Sequence, residues 1–137
     1  VENAMAGKLI EVWGNCDQGR DIIYIKDVTE AFVQALKSRD AQGLYNITSG
    51  RAITLREEVE TIVKVFSRGN KISEITYKPE KPNSIEPFLY DNSKAKKELG
   101  WTPRYTLVDM LIDYKHEMES GQFSFLVEKR KQLFNKQ

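Results

Sequence analysis

Arg20-Asp21-Ile22-Ile23-Tyr24-Ile25-Lys26-Asp27-Val28 joins a polar head to a four-residue apolar run and then to a carboxylate. The run shows no alternation of polar and apolar residues, so residues 22–25 are expected to form a strand covered on both faces. Asp27, with Glu30 three positions on, has the spacing of a capping box opening a helix. Val28, Ala31, Phe32, Ala35 and Leu36 would form that helix's apolar stripe. A strand that feeds straight into a helix belongs to an α/β or α+β chain. Arg20 stands ahead of the strand, where its planar guanidinium suits a phosphate or a carboxylate gripped by two parallel hydrogen bonds.

Upstream, Leu9, Ile10, Val12 and Trp13 read as a short strand, and residues 14–19 as a polar loop of turn formers. Residues 1–7 read as the end of a helix closing on Gly7, without an initiator Met at position 1. That opening is expected of a piece cut from a longer chain, the alternative being tag residue. Downstream, residues 44–47 read as a strand stopped by Thr48-Ser49-Gly50. Thr54 and Glu57 make a second capping box, before a helix with Leu55, Val59, Ile62, Val63 and Phe66 on its core face.

Ile75-Thr76-Tyr77 reads as a further short strand, after which Pro79, Pro82 and Pro87 enforce a loop. Residues 93–99 form a short helix closed by Gly100. Thr106 and Asp109 open another, carrying Leu107, Met110, Leu111, Tyr114 and Met118 on one side. A Lys-rich, weakly helical tail with Leu126, Val127, Leu133 and Phe134 follows. Four short strands are few for a free-standing sheet, so residues 44–47 are expected to belong to a larger one. Residues 1–137 thus read as one α/β domain, α+β-like when isolated, of short strands with four to five helices.

Composition narrows the function. The chain is 40% hydrophobic and 30% charged with a net charge of +1, the mix of a globular protein without a field for nucleic acid or membrane surfaces. No apolar run approaches the roughly 18 residues of a membrane span. The single Cys16 excludes an internal disulfide and fits a cytoplasmic location.

Several chemistries find no support. His116, the one histidine, stands beside Lys115 and Glu117 without an implied third group, so it reads as an exposed helix residue. One Cys and one His give no zinc spacing. The glycines at 7, 14, 19, 43, 50, 69, 100 and 121 make neither a dinucleotide fingerprint nor a Walker loop. Tyr90 and Lys94 match a YxxxK pair, but Tyr90 falls outside the helix that would hold both on one face. Anion binding differs: Arg20, Lys78, Lys81 and Asn46 are cations and a donor of the kind a pyrophosphate needs, although each taken singly reads as solvated surface.

Three stretches, in this order, give the chain a resemblance. "GKLIEVWGNCDQGRDIIYIKDVTEAF" resembles a glycine-loop, Arg-Asp-aromatic, strand and helix segment. "GLYNITSGRAITLREEV" resembles a Tyr-Asn-Ile/Val-Gly-x-Gly strand and helix, and "KPNSIEPFLYDNSKAKKELGWTPRYTLVDML" an Arg-Pro-Gly-Asp loop followed by Asp-x-Ser-Lys-Ala and Leu-Gly-Trp. These are similar to the C-terminal, substrate-binding part of the extended short-chain dehydrogenases/reductases, the NAD-dependent nucleoside-diphosphate-sugar epimerases and dehydratases, UDP-glucose 4-epimerase among them.

The resemblance implies that Arg20 holds the pyrophosphate, that Val12 and Trp13 flank the nucleobase, and that Asn46 lies near the phosphates. It implies that Lys81 is the second phosphate cation and Ser84 stands on the nucleoside or sugar side. It further implies NAD in a full-length parent, a nucleoside-diphosphate sugar as substrate, an N-terminal Rossmann domain and catalytic Tyr/Lys outside this chain, and a homodimer. The parent would work through a transient 4-keto sugar, and this portion alone would be inactive. Lys81, Asn83, Ser84 and Ile22 depart from the family pattern. The alternatives are a non-catalytic binding or scaffold module that kept the fold, and a family oxidoreductase with a non-nucleotide substrate.

Overall fold

The computed structural model describes residues 1–82, 86–121, 124–126 and 128–129. It opens with helix α1 (Glu2–Ala6), which closes on Gly7 at a left-handed φ of 66°. A Cβ at Gly7 would stand 2.9 Å from the Lys71 side chain, so backbone conformation and space both call for glycine. There follow β1 (Ile10–Trp13), β2 (Gly19–Asp21), α2 (Ile25–Lys37), β3 (Ala52–Thr54), α3 (Leu55–Phe66), β4 (Ile75–Lys78), α4 (Ser93–Leu99) and α5 (Leu107–Ser120). β1 and β4 pair in parallel, with Val12 opposite Tyr77 and Trp13 opposite Lys78. β2 and β3 pair antiparallel, with Arg20 opposite Ile53. This is the mixed α/β architecture expected.

Three small apolar clusters hold the elements together. Ala4, Val63 and Phe66 join α1 to α3; Ile53, Leu107 and Met110 join β3 to α5. Ala31, Ala95, Leu99 and Trp101 join α2 to α4. Burial of a side chain the size of Phe66 or Trp101 contributes about 2–3 kcal/mol each. Thr106 and Asp109 close a complete capping box at α5. At α3, Thr54 accepts from the Glu57 amide at 3.1 Å, but the Glu57 carboxylate meets Arg51 instead of closing the box.

Four expectations are corrected. The strand is not residues 22–25: β2 ends at Asp21, and Ile25 already begins α2. Asp27 is not a cap: Tyr24 holds that position, without a side-chain hydrogen bond. Asp27 is buried in the first turn, where its carboxylate accepts from the amides of Arg104 (2.9 Å) and Tyr105 (3.1 Å). The indole N–H of Trp101 donates to its carbonyl at 2.9 Å. Two amides and an indole 74 to 78 residues away outcompete the local cap.

Residues 44–47 form no strand, because among the described residues no strand lies alongside them. Nor is the α2 stripe fully covered: Ala31 is buried, while Phe32 and Leu36 are 68% and 88% exposed. Of the tail residues singled out above, Val127, Leu133 and Phe134 lie outside the described residues.

Candidate functional site

The C-terminal ends of β1 and β4 lie side by side. The parallel ladder turns paired residues to the same side, so Val12 and Tyr77 share one face and Trp13 and Lys78 the other. Val12 is buried at 5% exposure, while Trp13 is 48% exposed. After β4 the chain reverses: Pro79 follows Lys78, and the Lys81 amide donates to the Lys78 carbonyl at 3.1 Å. The reversal sets the Lys81 ammonium over the Trp13 ring, 4.3 Å from its centroid.

After β1, the Gly14 amide donates to the Lys78 carbonyl at 2.9 Å and anchors the polar loop. The buried Cys16 thiol donates to the Gly14 carbonyl at 3.2 Å. Helix α3 then ties loop, strand and cation together. The Arg56 amide donates to the Cys16 carbonyl at 3.0 Å. Its guanidinium meets Asp17 at 3.1 Å and lies 4.3 Å over the Tyr77 ring. The Asp17 bond raises the Arg56 pKa further above its usual value. Tyr77 donates to Glu60 at 3.0 Å, and burial, reinforced by that bond, raises its pKa, so it is a neutral phenol at pH 7.

Two positions after Arg56, Glu58 pairs with Arg20 at 3.2 Å. The two side chains are 39% and 24% exposed, so solvent reaches the pair. Main-chain bonds fix the Arg20 backbone on both sides: β3 lies on one edge of β2 and Phe88 on the other, with the Asp21 amide donating to the Phe88 carbonyl at 3.0 Å.

Asp21 has a different part. Its buried carboxylate accepts from the Ser49 amide (2.8 Å), the Ser49 hydroxyl (2.6 Å) and the Gly50 amide (3.0 Å). Asn92 lies 3.0 Å from where a Cβ on Gly50 would stand, and Gly50 has a φ of 70°, which keeps that position to glycine. The carboxylate, buried and engaged at both oxygens, therefore holds the loop before β3.

Of the residues singled out by sequence, Val12, Trp13 and Lys81 cluster at the β1–β4 end, and α3 links them to Arg20. Asn46 stands apart: its amide donates to the Asp91 carbonyl at 3.1 Å, three residues beyond the Phe88 that meets Arg20. Ser84 lies outside the described residues. Glu58, Arg56 and Tyr77 were missed, and their charges and spacing on α3 and β4 are those of any solvated face. Tyr90 and Lys94 do not converge: Lys94 donates to the carbonyls of Gln42 (2.9 Å) and Leu44 (3.2 Å), and Tyr90 packs on Phe88.

A second polar cluster ties α2 to α5. Tyr24 donates a short hydrogen bond to Asp113, whose carboxylate also meets Lys26 at 2.7 Å. Burial, then the Asp113 bond, pushes the Tyr24 phenol up to about 12, so it cannot serve as a base near neutrality. Bonds from Lys26 and Tyr24 hold the Asp113 carboxyl below its usual range. Among the described residues no three His, Cys, Asp or Glu side chains are placed to share a metal ion. No helix among them is long and apolar enough to cross a membrane.

Residues 1–114 match the family described as GDP-mannose 4,6 dehydratase. The chain is 33% identical over 100 residues to dTDP-4-dehydro-6-deoxyglucose reductase of Escherichia coli, covering 73% of this chain and 31% of that protein. It is 30% identical over 115 residues to dTDP-glucose 4,6-dehydratase of the same organism, covering 77% of this chain and 32% of that one. Among solved structures it is similar to the UDP-glucose 4-epimerase of Thermotoga maritima with UDP-glucose, with a TM-score of 0.68 and 26% identity. That likeness covers 85% of this chain and 38% of the epimerase. The chain spans about a third of the length of the curated relatives it matches.

Proposed function

The chain belongs to the GDP-mannose 4,6-dehydratase family of NAD-dependent sugar-nucleotide epimerases and dehydratases, and from that premise we propose that it is the part that grips the nucleoside diphosphate of a nucleotide sugar. The observation that carries the reading is the cluster itself: a half-exposed indole at a strand end, an ammonium on it, and a guanidinium held one short strand further on. An indole stacks an aromatic base, and the two cations answer a diphosphate. Val12 backs the platform.

This grip orients the sugar, which is where such a portion contributes to rate. NAD, when bound, supplies the hydride chemistry that makes and consumes a 4-keto sugar. The chain's own described residues do not fit NAD: neither strand that leads into a long helix, β2 into α2 or β3 into α3, does so through a glycine-rich turn. The portion is therefore inactive alone.

The cofactor would sit on a further α/β domain. Supporting that, Ile25, Phe32 and Leu36 of α2 and the neighbouring Leu44 are 65%, 68%, 88% and 84% exposed, and the amides of residues 44–47 reach no backbone carbonyl among the described residues. An apolar helix face beside a segment whose amides lack backbone partners is what a sheet edge would cover.

Calorimetric titration of the chain with UDP, dTDP and GDP tests the proposal. Binding of at least one in the micromolar range is expected, abolished or weakened by Arg20→Ala. No binding by any of the three overturns it.

A further inference from the structure

We infer that Trp13 and Lys81 form an exchange pair, in which an aromatic base takes the indole face that the ammonium covers and the displaced ammonium goes to the diphosphate of the same ligand. The inference rests on the nucleotide reading above. It adds how the base and the diphosphate of that ligand are coupled at the site.

The geometry sets up a competition. The Lys81 ammonium stands 4.3 Å from the Trp13 centroid. A stacked ring needs the same space, since carbon atoms pack at about 3.5–4 Å. Base and ammonium therefore exclude one another on that face.

The exchange needs little motion. Trp13 is fixed by the ladder to Lys78, and the Lys81 main chain by its amide bond back to the Lys78 carbonyl. Only the four-carbon stem of Lys81 must swing, and it is flexible. Its hold on the indole is weak at an exposed site, whereas its bond to a phosphate is charge-assisted.

Each half of the ligand is thus disadvantaged alone. A free nucleoside must evict the ammonium with nothing to receive it. A free diphosphate draws the ammonium away and gains nothing from the indole face. A nucleoside diphosphate does both at once, so its two halves bind cooperatively. Arginine in place of Lys81 would keep the cation and stack more broadly on the indole.

Fluorescence and calorimetry on the chain test this, with UDP, dTDP, GDP, uridine and inorganic pyrophosphate as probes. The Trp13 signal is the difference between the chain and its Trp13→Phe variant, which removes the contribution of the buried Trp101. Lys81→Ala is expected to shift the Trp13 emission without ligand and to tighten uridine about two- to fivefold. The same change should weaken the nucleoside diphosphate about tenfold, with Lys81→Arg restoring most of the loss. Unchanged emission and unchanged uridine affinity in Lys81→Ala overturn the pair and leave the nucleotide reading standing. A shifted emission with no binding of any nucleotide overturns that reading, and the exchange with it.

Discussion

Asp27 and Arg20 lie seven residues apart in one stretch and do opposite work. Asp27 is 2% exposed, and both carboxylate oxygens are engaged, by the amides of Arg104 and Tyr105. Arg20 is 39% exposed at its side chain and holds one carboxylate through one nitrogen. A buried carboxylate with both oxygens engaged by distant main chain is structural, because no ligand can reach it. A half-exposed guanidinium with unused donors can exchange its partner. Asp21 falls with Asp27, and Lys81 with Arg20.

The largest effect that separates the two regions should come from Asp27→Ala. It strands two amides and loosens the segment that carries the buried Trp101. A loss of about 3 kcal/mol in urea unfolding is expected. A loss below about 1 kcal/mol would break the comparison from the structural side. Arg20→Ala should do the reverse. Unfolding should change by no more than about 0.5 kcal/mol, while affinity for the best-binding nucleoside diphosphate falls about 10- to 30-fold. Similar effects on both measurements would place Arg20 with the structural group.

That contrast also explains what was legible. Helix α3, helix α5 and their hydroxyl caps could be read because their signals are local: a Thr, a carboxylate three residues on, and an apolar stripe. Trp13, Arg20 and Lys81 stood out as candidates by residue type, while the fold alone sets Lys81 over the Trp13 ring. Asp27 was misread because its Asp-x-x-Glu spacing is equally local, while the amides that claim it are 77 and 78 residues away. Residues 44–47 carry a strand's pattern, but a pattern does not supply a pairing partner. Glu58 was invisible because a glutamate near a helix start is common on solvated faces. Only the fold brings it to Arg20, 38 residues earlier.

Acid should act on the structural side first. Asp91, Asp109 and Asp113 are each held below the usual carboxylate range, chiefly by bonds from Ser93, Thr106 and Lys26. A carboxyl whose folded pKa is depressed stabilises the fold above its unfolded value, and that contribution is lost as pH falls through the folded value. The urea midpoint should therefore be flat from about pH 5 to 7 and fall below about pH 4. Asp113→Asn should flatten part of the fall. An unchanged slope in that variant would remove the α2–α5 tie from the account.

The smallest effect bears most directly on Arg20. Glu58 holds the guanidinium that a phosphate would take on the proposed nucleotide reading, so on that reading it is a competitor. Glu58→Gln keeps a side-chain oxygen for Arg20 and removes the negative charge. An exposed ion pair of this kind contributes about 0–1 kcal/mol, so unfolding should hardly move. Nucleoside diphosphate affinity should rise about threefold, as an anion no longer meets a carboxylate, with the gain shrinking as salt is added. A threefold fall would give Glu58 the other role, that of aiming Arg20 at the ligand. The partner that looks like half of a salt bridge would then be part of the grip, and the line between filled and exchangeable charges would run through Glu58 itself.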